Sequence, residues 1–536
     1  MTKESETGAA DTNPPTAVAI EGGMISQLGS DAEILALATE TTRVIDAASA
    51  VLTPGLIDSH MHPVWGTELT VGLDLGGKTE AQEVREALAE AAASLPEGAW
   101  VRGWNLDYKV FDPEGTGAPQ IRGDIFDDVL DGRPLALVFF DLHTGLANPA
   151  ALAAAGIDGT EEFTDASEIV LDAQGVPTGE LREIPAYMML LDAAPQEAVE
   201  EIVGRVQQTL ARSAASAVTS ASVMDGRPIT LEILEQVEKL DGGLPVRLHI
   251  AMWHQPGDDD DAVAERIRLL GTAGERYRVS MIKMFIDGVI DAGTAWLHEP
   301  DSEGDSHEPF WHSVERYAEV CAAYHEAGYQ LATHSCGDAG VAEAVKVYRQ
   351  LGQGKALSRN GAPHRVEHLE TLTDQDVADL AETGTVASMQ PLHMQWREAD
   401  HSDSFAARLG AQRAAHSFRV KDVLTAGGRI ALGSDWPVAQ QDARLGMAWA
   451  RLRRLPGSPE AHTFEPEQRL TGEETLLGYT RWAAEALGRE DLGVIRPGAI
   501  ADLALWSQDP VEADPDQLTE IPVLLTLVGG TVVHTD

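Results

Sequence analysis

The chain has 536 residues, 43% of them hydrophobic and 23% charged, enough apolar material for a large core and too much for general disorder. Acidic residues outnumber basic ones 86 to 39, and the formal charge of −47 repels phosphate backbones, so a nucleic-acid partner is not expected. No apolar run reaches the roughly 18 residues a membrane helix needs, and the polar opening MTKESETGAADTNPP lacks the order of a secretory signal. Two cysteines, Cys321 and Cys336, make no disulfide framework and fit a reducing, cytoplasmic setting.

In chain order, residues 1–13 read as a disordered tail. Short apolar runs follow, TAVAIEGGMISQLG and TTRVIDAASAVLTPG, with a hairpin turn expected at Glu21-Gly22-Gly23. The other end has the same character, in GVIRPGAIADLALWS and IPVLLTLVGGTVVHT, the second with a turn at Gly529-Gly530. Residues 14–53 and 490–536 are therefore expected to build one small β-sandwich domain from both chain ends.

The middle, 54–489, alternates buried-strand patterns with amphipathic helices. The strand candidates are GLIDSHMH (55–62), SAVTSASVM (216–224), PVRLHIAMW (245–253), VSMIKMFIDG (279–288), YQLATHSCGD (329–338), HRVEHLE (364–370), TVASMQPLH (385–393) and RIALGSDWPV (429–438). Eight strands rich in Val, Ile, Met and Leu, alternating with helices, predict an α/β fold with a closed (β/α)8 TIM-like barrel. No glycine-rich phosphate turn follows any of them, which disfavours an open dinucleotide-binding sheet. A long insertion after the first barrel strand, about 65–205, falls on the side where barrels carry their chemistry and is expected to shape the substrate pocket.

The first barrel strand ends in His60-Met61-His62, and alternate strand residues face the same way. Lys283, His334, His368 and Asp435 stand near the ends of later strands. In a barrel those ends converge on one mouth. Leaving such groups unpaired among apolar strands costs about 2–7 kcal/mol each, and a divalent cation resolves that cost. Imidazole and carboxylate donors suit zinc, with other first-row metals as alternatives.

The segments TPGLIDSHMHP, IKMFIDGVIDAGTA, ATHSCGDAGV, RVEHLE, SMQPLH, ALGSDWPV and GVIRPGAIADLALW, in this order, resemble the metal-dependent amidohydrolase superfamily. The branch they resemble is amidohydrolase-3, which includes N-substituted formamide deformylases. The stretch before TAVAIEGG departs from the strand with which similar chains begin. The resemblance implies that His60, His62 and Asp435 hold one metal ion and that His334 and His368 hold a second. It also places Lys283 where a carboxylated lysine bridges two ions; apolar neighbours and nearby cations favour the neutral amine that reacts with carbon dioxide. An unmodified Lys283, paired with an acid such as Asp287, is the alternative, with one metal instead of two.

The implied activity is hydrolysis of a non-peptide carbon–nitrogen bond in a small molecule, most simply a linear N-acyl or N-formyl amide, by hydroxide generated on the metal. Asp435 is the expected catalytic residue, general base and then general acid. An ester, lactone or cyclic amide is the alternative substrate, and a non-catalytic barrel scaffold the alternative outside catalysis. His143, Trp104 and Glu180 are candidate substrate contacts, with Tyr108 a possible neighbour of Trp104 in a pocket wall. Glu367 is expected to point away from the site on a regular strand, and Cys336 to lack a nucleophilic role. A homodimer is compatible with this reading.

Overall fold

A computed structural model describes residues 14–112, 120–164 and 166–536. The tail expected over 1–13 lies outside the described residues. Eight strands form one all-parallel sheet in strict chain order: β1 (Leu56–Met61), β2 (Val218–Gly226), β3 (Arg247–Trp253), β4 (Tyr277–Phe285), β5 (Gln330–Ser335), β6 (Arg365–His368), β7 (Val386–Met389) and β8 (Arg429–Leu432). Every residue of β1, β2, β5, β6 and β7 is buried, as expected where helices cover one face and the barrel interior the other. The predicted TIM-like barrel is therefore present, with each strand inside its expected segment except that β2 runs on to Gly226 and β4 begins at Tyr277.

The eighth strand does not pair with the first along its length; the seam closes at the C-terminal end of the first and just beyond the eighth. The N–H of Asp435 donates to the carbonyl of His60 (2.7 Å), and that of His62 to the carbonyl of Trp436 (2.8 Å). Asp58 locks this junction from beneath. Its carboxylate accepts the Ser434 hydroxyl (2.6 Å) and the backbone N–H groups of Ser434 (3.0 Å) and His60 (3.1 Å). Gly433 is required here, because a Cβ at that position would lie 2.6 Å from the His60 nitrogen.

Four antiparallel strands from both chain ends, Val51–Pro54, Leu503–Trp506, Val523–Val528 and Thr531–Thr535, make a second sheet. The hairpin Ala17–Glu21/Met24–Gly29 packs beside it, its Ile25 N–H donating to Ala499 O (2.8 Å) in the segment that leads into Leu503–Trp506. Both expected turns carry positive φ at paired glycines, 57° and 80° at Gly22-Gly23 and 56° and 73° at Gly529-Gly530, a geometry glycine adopts without steric cost. A third, mixed sheet is inserted between β1 and β2. Its strands lie in the order Leu73–Asp74, Val101–Leu106, Leu135–Phe139, Thr144–Ala147, Pro177–Arg182 and Glu168–Leu171. Helix Ala81–Ser94 contributes Val84 and Leu88 to its own apolar core with Leu137 and Phe139. Among the described residues no helix is long and apolar enough to cross a membrane.

Candidate metal centre and active site

Positions 58, 60 and 62 share one face at the C-terminal end of β1, with Asp58 serving the seam and the two histidines left for the mouth. His60 Nδ1 lies 2.7 Å from Glu367 Oε2. The carboxylate can only accept, so the proton sits on Nδ1 and the Nε2 lone pair faces the mouth. Nε2 is 3.4 Å from Asp435 Oδ1, and His62 Nε2 is 3.0 Å from the same oxygen. His60, His368 and Asp435 offer ligand atoms within 4.8 Å of one another, all three buried. The rings of His334 and His60 flank that of His368, with centroids 4.5 and 4.7 Å away.

Lys283, on β4, completes the group. Its Nζ lies 3.5 Å from His60 Nε2 and 4.9 Å from the centre of the Phe285 ring. No acid among the described residues lies within ion-pair distance of it, and Asp287 is engaged elsewhere, accepting the N–H groups of Trp296 (2.9 Å), Cys336 (3.1 Å) and Gly337 (2.8 Å). The six residues singled out from sequence therefore meet at one mouth.

Backbone strain helps aim two of them. His368 has φ of 77° and Asp435 of 57°, in the left-handed region that side chains such as these seldom occupy. At His368 this breaks the strand's alternation. Glu367 consequently does not point away from the site, as a regular strand would require; it lies inside the barrel, bonded to His60 and to Arg365. Regular alternation misassigned it because the turn at His368 is a property of the folded mouth.

Charge states follow from burial and neighbours. Burial, with the Lys283 charge behind it, pushes His60 down to about 4 and His334 well below the usual imidazole range. Burial and the surrounding imidazoles do the same to His368. Burial also lowers the Lys283 amine to about 8. For Asp435 burial acts upward, but His60 and His62 outweigh it and hold the carboxyl below its usual range. Neutral imidazoles beside an ionised carboxylate are the protonation states that a divalent ion requires of its ligands. Asp435 Oδ1 is buried without a hydrogen bond and faces two imidazole nitrogens, so the residues present fit such an ion.

The cavity over this cluster has room of about 70 Å³. Trp65, Phe140, His143, Phe285, His393 and Trp396 form much of its wall. His143 Nδ1 lies 2.6 Å from Glu183 Oε2, and its ring centre is 5.2 Å from that of His334. Burial opposes protonation of His143, but Glu183 prevails and raises its pKa. Trp104 and Glu180 are not brought to this cavity. Trp104 lies in the inserted strand Val101–Leu106, and Glu180 accepts from Arg182 Nε at 2.7 Å. Tyr108 is buried behind the wall, donating to Asp141 (2.7 Å). Cys336 has its thiol pushed well up by burial, which leaves it protonated and a poor nucleophile.

Sequence reasoning did not single out Glu183, His393 or Trp253. His393 stands in the SMQPLH segment, 3.6 Å from Asp435 Oδ2 through Nε2, and that motif was the available signal. Nothing in the sequence pairs Glu183 with His143.

The profile of the amidohydrolase family matches residues 43–534. The chain belongs to the amidohydrolase family. It is 26% identical over 525 residues to putative amidohydrolase YtcJ of Bacillus subtilis (strain 168), covering 97% of this chain and 96% of that one. It is also 26% identical over 545 residues to the N-substituted formamide deformylase of Arthrobacter pascens, covering 96% and 94%. An uncharacterised metal-dependent hydrolase from Pyrococcus horikoshii shares the fold of this amidohydrolase, with a TM-score of 0.71, 20% identity and coverage of 93% and 94%.

Proposed function

We propose that this amidohydrolase cleaves a non-peptide carbon–nitrogen bond, a linear N-acyl or N-formyl amide, in a small molecule. The observation that carries the reading is Asp435 Oδ1, buried without a donor and facing the Nε2 atoms of His60 and His62. The similarity to an N-substituted formamide deformylase favours the amide over other carbonyl substrates.

His60, His62 and Asp435 would hold one divalent ion, zinc by the character of its donors, and His334 and His368 a second, with Lys283 as a carbamate between them. When bound, such an ion acidifies a coordinated water and polarises a carbonyl oxygen. The remaining work falls to the protein's own groups. Glu367 orients His60 through Nδ1, and Arg365 keeps Glu367 ionised. Asp435, ionised and within reach of the mouth, takes a proton from the attacking water at a carboxylate oxygen and returns it to the departing nitrogen. His143, held by Glu183, presents its other nitrogen to the cavity as a donor to the substrate. Phe140, His143 and Ile184 belong to the insertion at about 65–205, which we read as the cover that excludes water, and the two chain ends, 14–53 and 490–536, as one supporting β-domain.

Metal analysis of purified protein tests the reading and is expected to give about one to two divalent ions per chain. His60→Ala should lose metal and amide turnover together. Full turnover by a metal-free His60→Ala protein would refute it. A panel of a formanilide, an aryl ester and a hydantoin identifies the bond cleaved.

A further inference from the structure

Beside the reacting cavity lies a second one, and the two share Trp65, Ile184 and Trp253 as a common wall. The first offers about 70 Å³ and the second about 370 Å³. An apolar cavity of about 150 Å³ is enough to hold benzene, so the smaller space accommodates a reacting amide with little attached to it. Anything larger must extend elsewhere.

Pro185, Met188, Met252 and Leu269 line the larger cavity. Its two arginines are already engaged. Arg227 donates to both carboxylate oxygens of Glu68 at 2.8 Å, and Arg266 to Asp258 at 2.7 Å. Gln255 and the exposed Glu265 also line it; the rest of the surface is apolar, and among the described residues it offers no unpaired cation to attract a carboxylate. Trp253 adds a second indication. It is 7% exposed, yet its indole N–H has no acceptor among the described residues. Buried indoles ordinarily find one, and the amide end of a ligand, where an apolar arm begins, would bring an oxygen to this wall.

We propose that this cavity is a subsite for an uncharged, apolar arm of the substrate, carried on the acyl or the amine side of the scissile bond. The proposal rests on the amide-hydrolase reading given above. Trp65 and Trp253, whose ring centres are 4.7 Å apart, stand on the wall that the two spaces share, and the arm would leave the reacting group across them. Each methylene buried there is worth about four-fold in affinity, so chain length becomes the determinant of specificity.

The test compares N-hexylformamide, with the arm on nitrogen, and N-methylheptanamide, with the arm on the acyl carbon, against N-methylformamide. Met188→Trp and Leu269→Trp fill the cavity. Each is expected to lower the long-to-short ratio of kcat/KM by about ten-fold for the amide whose arm occupies the subsite, which also tells which side carries it. An unchanged ratio for both long amides in folded variants overturns the proposal. Met188→Ala enlarges the same space and serves if the filled variants do not fold. It should shift preference toward N-octylformamide or N-methylnonanamide, and no shift for either overturns the proposal. If the wild-type protein hydrolyses none of these amides, the amide reading fails separately. Calorimetric binding of the two long amides then decides the subsite: about ten-fold weaker binding of one of them to Met188→Trp supports it. Equal binding, or none by the wild type, overturns it.

Discussion

His60 and Glu367 come from strands 307 residues apart in sequence and meet at 2.7 Å, both fully buried. Burial alone would raise the Glu367 carboxyl, but Arg365 and His60 hold it well below the usual range, so it presents a fixed negative charge to the imidazole. Glu367→Gln keeps the shape and removes that charge. Affinity for the divalent ion is expected to fall about 10–100-fold, read by competition with a chromogenic chelator. Unchanged affinity would mean that Glu367 serves only Arg365.

Asp435→Asn separates ligation from proton transfer. Turnover at saturating metal is expected to fall by about 10²–10⁴-fold, with the far-ultraviolet circular dichroism unaltered. A variant that recovers full kcat once metal is added in excess would show that Asp435 acts through ligation alone.

Lys283, proposed above as a carbamate, has its amine lowered to about 8 and no acid within ion-pair distance among the described residues. Protein stripped of metal and carbonate should regain activity on adding metal only when bicarbonate is present. Lys283→Glu, which restores an anion, should retain more metal than Lys283→Met by about ten-fold. Equal recovery with and without bicarbonate would argue for an unmodified lysine.

His364 predicts acid sensitivity away from the site. Its Nδ1 accepts the N–H of Leu331 (3.0 Å), which fixes the neutral ring, and Nε2 donates to His325 Nδ1 (3.0 Å). Burial lowers its pKa from 6.5 to about 3. The unfolded chain therefore takes up the proton first as pH falls. His364's contribution to stability is complete above pH 6.5 and is lost between there and about 3, amounting to about 1 kcal/mol by pH 5.5. Thermal melts at pH 7.5 and 5.5 should show a smaller acid-induced drop for His364→Asn than for the wild type. Asp287, pushed up to about 8 by burial, acts in the opposite sense, so the comparison between proteins carries the test and not the wild-type slope. Parallel slopes would exclude His364 as the source.

Much of the site was legible because its residues obey local rules. His60 and His62 share a face by strand alternation, and each of the other candidates stands at the end of an apolar run. Glu367 escaped that logic because the positive φ of His368 ends the alternation one residue later. Trp104 and Glu180 looked like pocket residues from their neighbourhood in the chain, but a register within the inserted sheet and an ion pair with Arg182 take them elsewhere. His143 reached the cavity, held by a Glu183 whose own φ is 66°.

The sequence by itself determined the eight-strand order, the family and the ligand candidates, since periodicity, turn glycines and short motifs are properties of contiguous residues. Tertiary structure alone decided which partner orients each imidazole, which insertion residues face the mouth, and that Trp65 and Trp253 separate two cavities of unequal size. Those outcomes depend on side chains brought together from separate strands and loops, 40 residues apart for His143 and Glu183 and 307 for His60 and Glu367, where packing and hydrogen-bond satisfaction, and not local preference, select the geometry.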